Sequence, residues 1–180
     1  MVIVGRDGVS YGAPPPPRST FRDMMLQEVG EELDLSRVHF LGTLDYDAYL
    51  KLLQVSAVHV YLTYPFVLSW SFVEAMACGC LIVGSATPPV LEVLKDGENG
   101  LTVDFFAIRQ LTERIAQALA EPQRMKKLRL AARATAVERF DLKRTVLPNW
   151  LALLDDVAHG RRPATQPGKP ATRVARRAAG

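Results

Sequence analysis

Cysteine and histidine are scarce in this chain, with two Cys and three His among 180 residues. Cys78 and Cys80 flank a glycine and have no second Cys or His pair nearby, so a metal site is not expected. They read instead as small core residues and as free thiols suited to a reducing compartment. A run of 18 apolar residues is also missing, and no cleavable leader is recognisable, which makes the cytoplasm the expected location. No G-x-G-x-x-G follows a strand and there is no P-loop, which counts against a dinucleotide-dependent oxidoreductase.

The folded body lacks an excess of positive charge. The formal charge is +3, but Arg161, Arg162, Lys169, Arg173, Arg176 and Arg177 lie in the last twenty residues with no acid among them. Without that tail, 16 basic residues face 19 acidic ones. Phosphate-backbone binding needs a basic patch or arm, so no nucleic-acid partner is expected. Residues 159–180 read as a solvated, disordered extension; the alternative is weak peripheral contact with anionic lipid heads. Residues 1–158 form one domain, since 48% hydrophobic and 23% charged residues are ordinary for a soluble globular protein.

Short apolar runs alternate with helical periodicity along that domain. Residues 2–4 make a buried strand ending at Gly5. The loop at 12–18 contains four consecutive prolines and excludes regular structure. From Ser19 or Thr20 a helix follows, with Phe21, Met24, Met25 and Val29 on one face. Further strands are read at 38–41, 58–62, 81–83 and 101–103. Helices are read at 46–53, 70–78, 88–95, 108–119, 123–138 and 142–158. Tyr46, Tyr49, Leu50 and Leu53 supply the apolar face of the second helix, with Asp45 as its cap. The alternation implies an α/β fold with a Rossmann-like, doubly wound parallel sheet. Such sheets bind ligands beyond the carboxyl ends of their strands.

The most informative stretch is residues 64–100. It contains Ser71, Glu74, Ala75, Met76, Ala77 and Gly79 in an S-x-x-E-A-M-A-x-G pattern, a buried strand at 81–83, then Glu92, and D-G-x-N-G at residues 96–100. In order and spacing these elements resemble the retaining glycosyltransferases of family 4, whose GT-B architecture sets two Rossmann-like domains face to face. The likeness covers roughly residues 1–155 and is to the carboxy-terminal, donor-binding half. It implies a nucleotide-sugar as substrate, no metal or other cofactor, and a second, acceptor-binding domain.

A helix N-terminus offers unpaired amides and the positive end of the macrodipole to a diphosphate. That assigns the amides of Ser69, Trp70 and Ser71 to the donor phosphates. The Ser71 hydroxyl is either a further donor or a plain helix cap. Glu74 sits among apolar neighbours where an unpaired charge is costly, and the resemblance gives it the ribose hydroxyls. The resemblance also places the nucleotide base against Gly42, Thr43 and Leu44, and Gly5 marks a neighbouring loop where backbone approaches the donor. His39 and His59 read as structural. Glu92 reads as a capping or packing residue.

Two departures stand out. The family's first glutamate is replaced by Phe66, in a 64–68 segment that lacks the usual glycine-containing loop. The chain also starts one strand later than the family pattern, without the Arg and Lys that neutralise the leaving diphosphate. In strand order 3-2-1-4-5-6 the absent strand would lie between residues 2–4 and 58–62, exposing two edges. Truncation of a longer enzyme is therefore expected, with no catalytic residue assigned within this chain and no transfer by the chain alone. The alternative is a nucleotide-sugar-binding or structural module that has lost its chemistry.

Overall fold

The computed structural model describes residues 1–8, 13–63 and 67–161, so Phe66 and nearly all of the basic tail lie outside the described residues. Five strands alternate with seven α-helices: β1 Val2–Ile3, α1 Phe21–Val29, β2 His39–Phe40, α2 Tyr46–Val55, β3 Val58–Tyr61, α3 Trp70–Ala77, β4 Leu81–Ser85, α4 Pro88–Leu91, β5 Leu101–Val103, α5 Ile108–Ala120, α6 Pro122–Phe140 and α7 Leu147–Ala158. All pairings are parallel, so each crossover carries a helix. The architecture is α/β and Rossmann-like.

The strands form two sheets rather than one. β1 pairs with β2, and β3, β4 and β5 follow in order, with Val58 opposite Leu81 and Val83 opposite Leu101. The break falls between the two strands expected to flank the absent one. Among the described residues β1 and β3 each have a strand on one side only. Burial follows pairing: Leu81, Ile82, Val83, Gly84 and Ser85 of β4 are all buried, whereas Val2, Ile3 and Val60 are exposed.

β4 divides the core because successive side chains point to opposite faces. Cys80 and Ile82 join Phe72, Ala75 and Met76 of α3 and Ala132 and Ala136 of α6 on one side. Leu81 and Val83 join Leu101, Val103, Ala118, Met125 and Leu128 on the other. Phe72, Met76, Leu81 and Ile82 are almost fully buried, and each contributes roughly 1.5–3 kcal/mol by leaving water. The Cys80 thiol donates to the Leu53 carbonyl at 2.9 Å. Burial pushes that thiol up to about 11, as expected of a core residue rather than a nucleophile.

α6 fixes the far end of α3. Arg129 Nε donates to the Gly79 carbonyl at 2.6 Å, and Arg133 donates to the Ala77 carbonyl. These acceptors are left over at a helix C-terminus, where a cation also favours the dipole.

The D-G-x-N-G segment is built for packing. Asp96 accepts the Thr102 amide at 2.8 Å and meets Arg114 at 3.3 Å. Asn99 accepts the Lys95 amide and donates to the Val93 carbonyl and to Thr135. A Cβ at Gly100 would collide with Leu94 and stand 3.1 Å from the Ile82 carbonyl oxygen.

Other elements depart from expectation at their ends. The helix read over 88–95 is α only through Leu91; Glu92 is its C-cap and offers its carbonyl to Arg139 at 2.7 Å. The helix read over 142–158 opens with a π turn, Leu142–Val146. Pro148 accounts for that turn, since its ring cannot sit against the carbonyl of a regular preceding turn.

Candidate functional site

α3 begins at Ser69, the N-cap, whose hydroxyl accepts the Ser71 amide at 3.2 Å and lies 2.9 Å from the Ser71 hydroxyl. The cap reading of Ser71 thus passes to Ser69, because an N-cap oxygen reaches amides two or three residues on. The Ser69 amide donates to the Tyr61 hydroxyl at 2.9 Å. Tyr61 is held in turn by Phe72, edge to face at 5.0 Å. Two of the three amides read as phosphate donors are therefore internally satisfied. The Trp70 amide has no partner among the described residues, and the Trp70 indole is exposed.

One turn further on, Glu74 is half-buried and turns toward α2. Its Oε1 accepts a hydrogen bond from the Tyr46 hydroxyl at 3.1 Å. That hydrogen bond, and then the carboxylate charge, raise the Tyr46 phenol above its ordinary value. The Tyr49 hydroxyl is buried beside the same carboxylate. Burial first, then the Glu74 charge and hydrogen bonding to Glu74, push its phenol up to about 12. The two tyrosine rings lie 6.2 Å apart.

The glycine loops also meet. Gly5, at φ +145°, donates its amide to the Gly42 carbonyl at 2.9 Å, and Gly42 is left-handed at φ +64°. Both line an apolar cavity of about 380 Å³ under α1, beside Ile3, Phe21, Met25 and Phe40. Thr43 and Leu44 then lead to the Asp45 cap and Tyr46. The Tyr46–Glu74 hydrogen bond thus joins the 42–44 loop to α3. Ser69, Trp70, Ser71 and Glu74 do not line the cavity, so the predicted residues form two neighbouring groups linked through Tyr46.

Tyr46 and Tyr49 appear in the sequence only as helical periodicity; spacing alone does not aim their hydroxyls at Glu74. His39 is exposed on β2, and His59 is half-buried in β3 with its pKa lowered by burial. Neither approaches Glu74 by a hydrogen bond among the described residues. No group of three or more His, Cys, Asp or Glu able to hold a metal occurs among the described residues. No helix of the described residues is long and apolar enough to cross a membrane.

Parallel strands in two sheets, flanked by helices, give the Rossmann-like character of one half of the GT-B glycosyltransferase fold. Residues 1–135 match the glycosyl transferases group 1, and the chain belongs to that family. Among solved structures, sucrose-phosphate synthase from Thermosynechococcus elongatus is similar at 24% identity and TM-score 0.67, over 88% of this chain and 38% of that one. HepE from Anabaena, solved in complex with UDP, is similar at 22% identity and TM-score 0.68, over 88% of this chain and 40% of that one. The carboxy-terminal domain of the group 1 protein LpcC from Francisella tularensis is similar at 18% identity and TM-score 0.63, over 72% and 67%. At these identities the likeness shows the fold. The chain spans about two fifths of the first two proteins. No curated protein sequence matches it.

Proposed function

We propose that the chain is the donor-binding portion of a cytoplasmic, retaining family 4 glycosyltransferase, holding a nucleotide-sugar while the remainder of the enzyme presents the acceptor. The observation that carries this reading is Glu74 on α3, hydrogen-bonded to Tyr46 immediately after the 42–44 loop. In support of it, the Tyr46 hydrogen bond links the 42–44 loop, read as the base site, to the helix whose start is read as the phosphate site. The amide at Trp70 and the macrodipole of α3 supply positive potential for the diphosphate. The solved complexes of HepE with UDP and with UDP-glucose support a uridine nucleotide as the first ligand to try.

In this reading transfer needs no metal. Transition-state stabilisation falls to the α3 start and to basic groups from the rest of the enzyme. Isothermal titration calorimetry with UDP tests the site. Glu74→Gln is expected to weaken binding roughly tenfold or more, since a charge-assisted hydrogen bond is lost. Unchanged affinity overturns the assignment.

The second reading is a nucleotide-sugar-binding or structural module without transfer activity. It is favoured by the Ser69 and Ser71 amides, which are already occupied by Tyr61 and by the Ser69 hydroxyl. UDP binding without sugar transfer by the whole protein would establish it.

A further inference from the structure

α7 is amphipathic, and its apolar side meets water. Leu147, Trp150, Leu151 and Leu154 recur at i, i+3, i+4 and i+7, with Leu153 and Val157 beside them, so these large apolar side chains share one arc of the helix. All of them are exposed, Trp150 by 58%, and no residue of α7 is buried, whereas α6 buries Met125, Leu128, Ala132 and Ala136. Asp155 and Asp156 lie outside the arc, and Arg161 donates to both carboxylates. Lys143 and Arg144 are exposed in the π turn before the helix. After it come Arg161, Arg162, Lys169, Arg173, Arg176 and Arg177, with no acid from residue 161 to residue 180.

A contiguous apolar patch of this kind marks an interface, and the charge beside it selects the partner. A protein laid over the arc would account for the leucines alone. Cations at both ends of the helix, acids already neutralised by Arg161, and a tryptophan within the arc together suit a helix lying in a lipid surface. We infer that α7 docks the protein on a bilayer carrying anionic headgroups. The apolar arc enters the boundary between headgroups and acyl chains, and the flanking lysines and arginines meet the headgroup charge. At 12 residues α7 is too short to cross the bilayer, so it lies along the surface. This surface includes neither Glu74 nor the start of α3, so it stands whether or not a nucleotide binds there.

The test is co-sedimentation of the whole protein with phosphatidylcholine vesicles, made with and without phosphatidylserine. Binding to the anionic vesicles is expected to exceed binding to the neutral ones by about tenfold at low salt, and to fall several-fold at high salt. Leu151→Glu combined with Leu154→Glu is expected to weaken that binding by about tenfold or more. Its melting temperature should hold, since both side chains are exposed. In a Trp70→Phe background Trp150 is the only tryptophan, and its emission is expected to shift to the blue when anionic vesicles are added. Equal binding to the two vesicle types, or binding to neither, overturns the inference. Sedimentation that leaves Trp150 emission and the paired leucine variant unaffected also overturns it, because the cations then act without α7. Trp150 emission already blue before vesicles are added shows that protein covers the arc, and overturns it as well.

Discussion

The Gly5 amide donates to the Gly42 carbonyl at 2.9 Å, tying the loop after β1 to the loop after β2. The bond extends the ladder of two short strands by one rung, at the point where both turn away from the sheet. Gly42 makes that turn at φ +64°, a conformation that costs an L-residue about 1–2 kcal/mol. No atom lies within 4 Å of a Cβ built there, so the penalty is one of backbone alone. Gly42→Ala is therefore expected to lower unfolding free energy by about 1 kcal/mol with an unchanged m-value in urea. A neutral result would mean that the turn relaxes without loss.

His59 provides a pH signature. Burial lowers its pKa below 6.5, so between the folded and unfolded values the unfolded chain binds more protons than the folded one. Its contribution is complete above about pH 6.5 and is lost as pH falls through that window, with a slope of at most about 1.4 kcal/mol per pH unit. Denaturant melts from pH 7.5 to 5 should show wild-type stability falling more steeply than that of His59→Gln. Parallel curves would place the acid sensitivity elsewhere.

The unpaired edge of β3 predicts self-association. Val60 is exposed on a strand that, among the described residues, has only β4 beside it, and such edges pair with other chains. Val60→Lys is expected to reduce the aggregated fraction of this chain on size-exclusion chromatography several-fold, as charge on an edge opposes pairing. A wild-type chain that is monodisperse at high concentration would contradict the open edge.

The elements were legible because each segment carries its own signal. The short apolar run at 81–83 and the valine-rich 58–61 state buried strands, and the stripe of Ile108, Leu111 and Ile115 states period 3.6. Glu74 was legible because a carboxylate amid Phe72, Val73, Ala75 and Met76 demands a partner. The identity of that partner was not, since Tyr46 lies 28 residues earlier in the chain. A cap at Ser71 falls two residues too late, because Ser69 and Ser71 are equivalent in sequence until a backbone turn makes one of them accept the other's amide. The D-G-x-N-G run was visible as a motif, but its work in holding Val93, Lys95, Thr102 and Thr135 together is not.

By itself the sequence determined the α/β alternation, the parallel pairing, the glycine loops at strand ends and the position of Glu74 on the helix after the third strand, because those follow from local periodicity and backbone chemistry. Only the tertiary structure decided that the sheet divides between β1 and β3, that Tyr61 and Ser69 occupy two of the helix-start amides, and that two tyrosines converge on one carboxylate. Those outcomes depend on distances between groups far apart in the chain, which packing sets and composition does not encode.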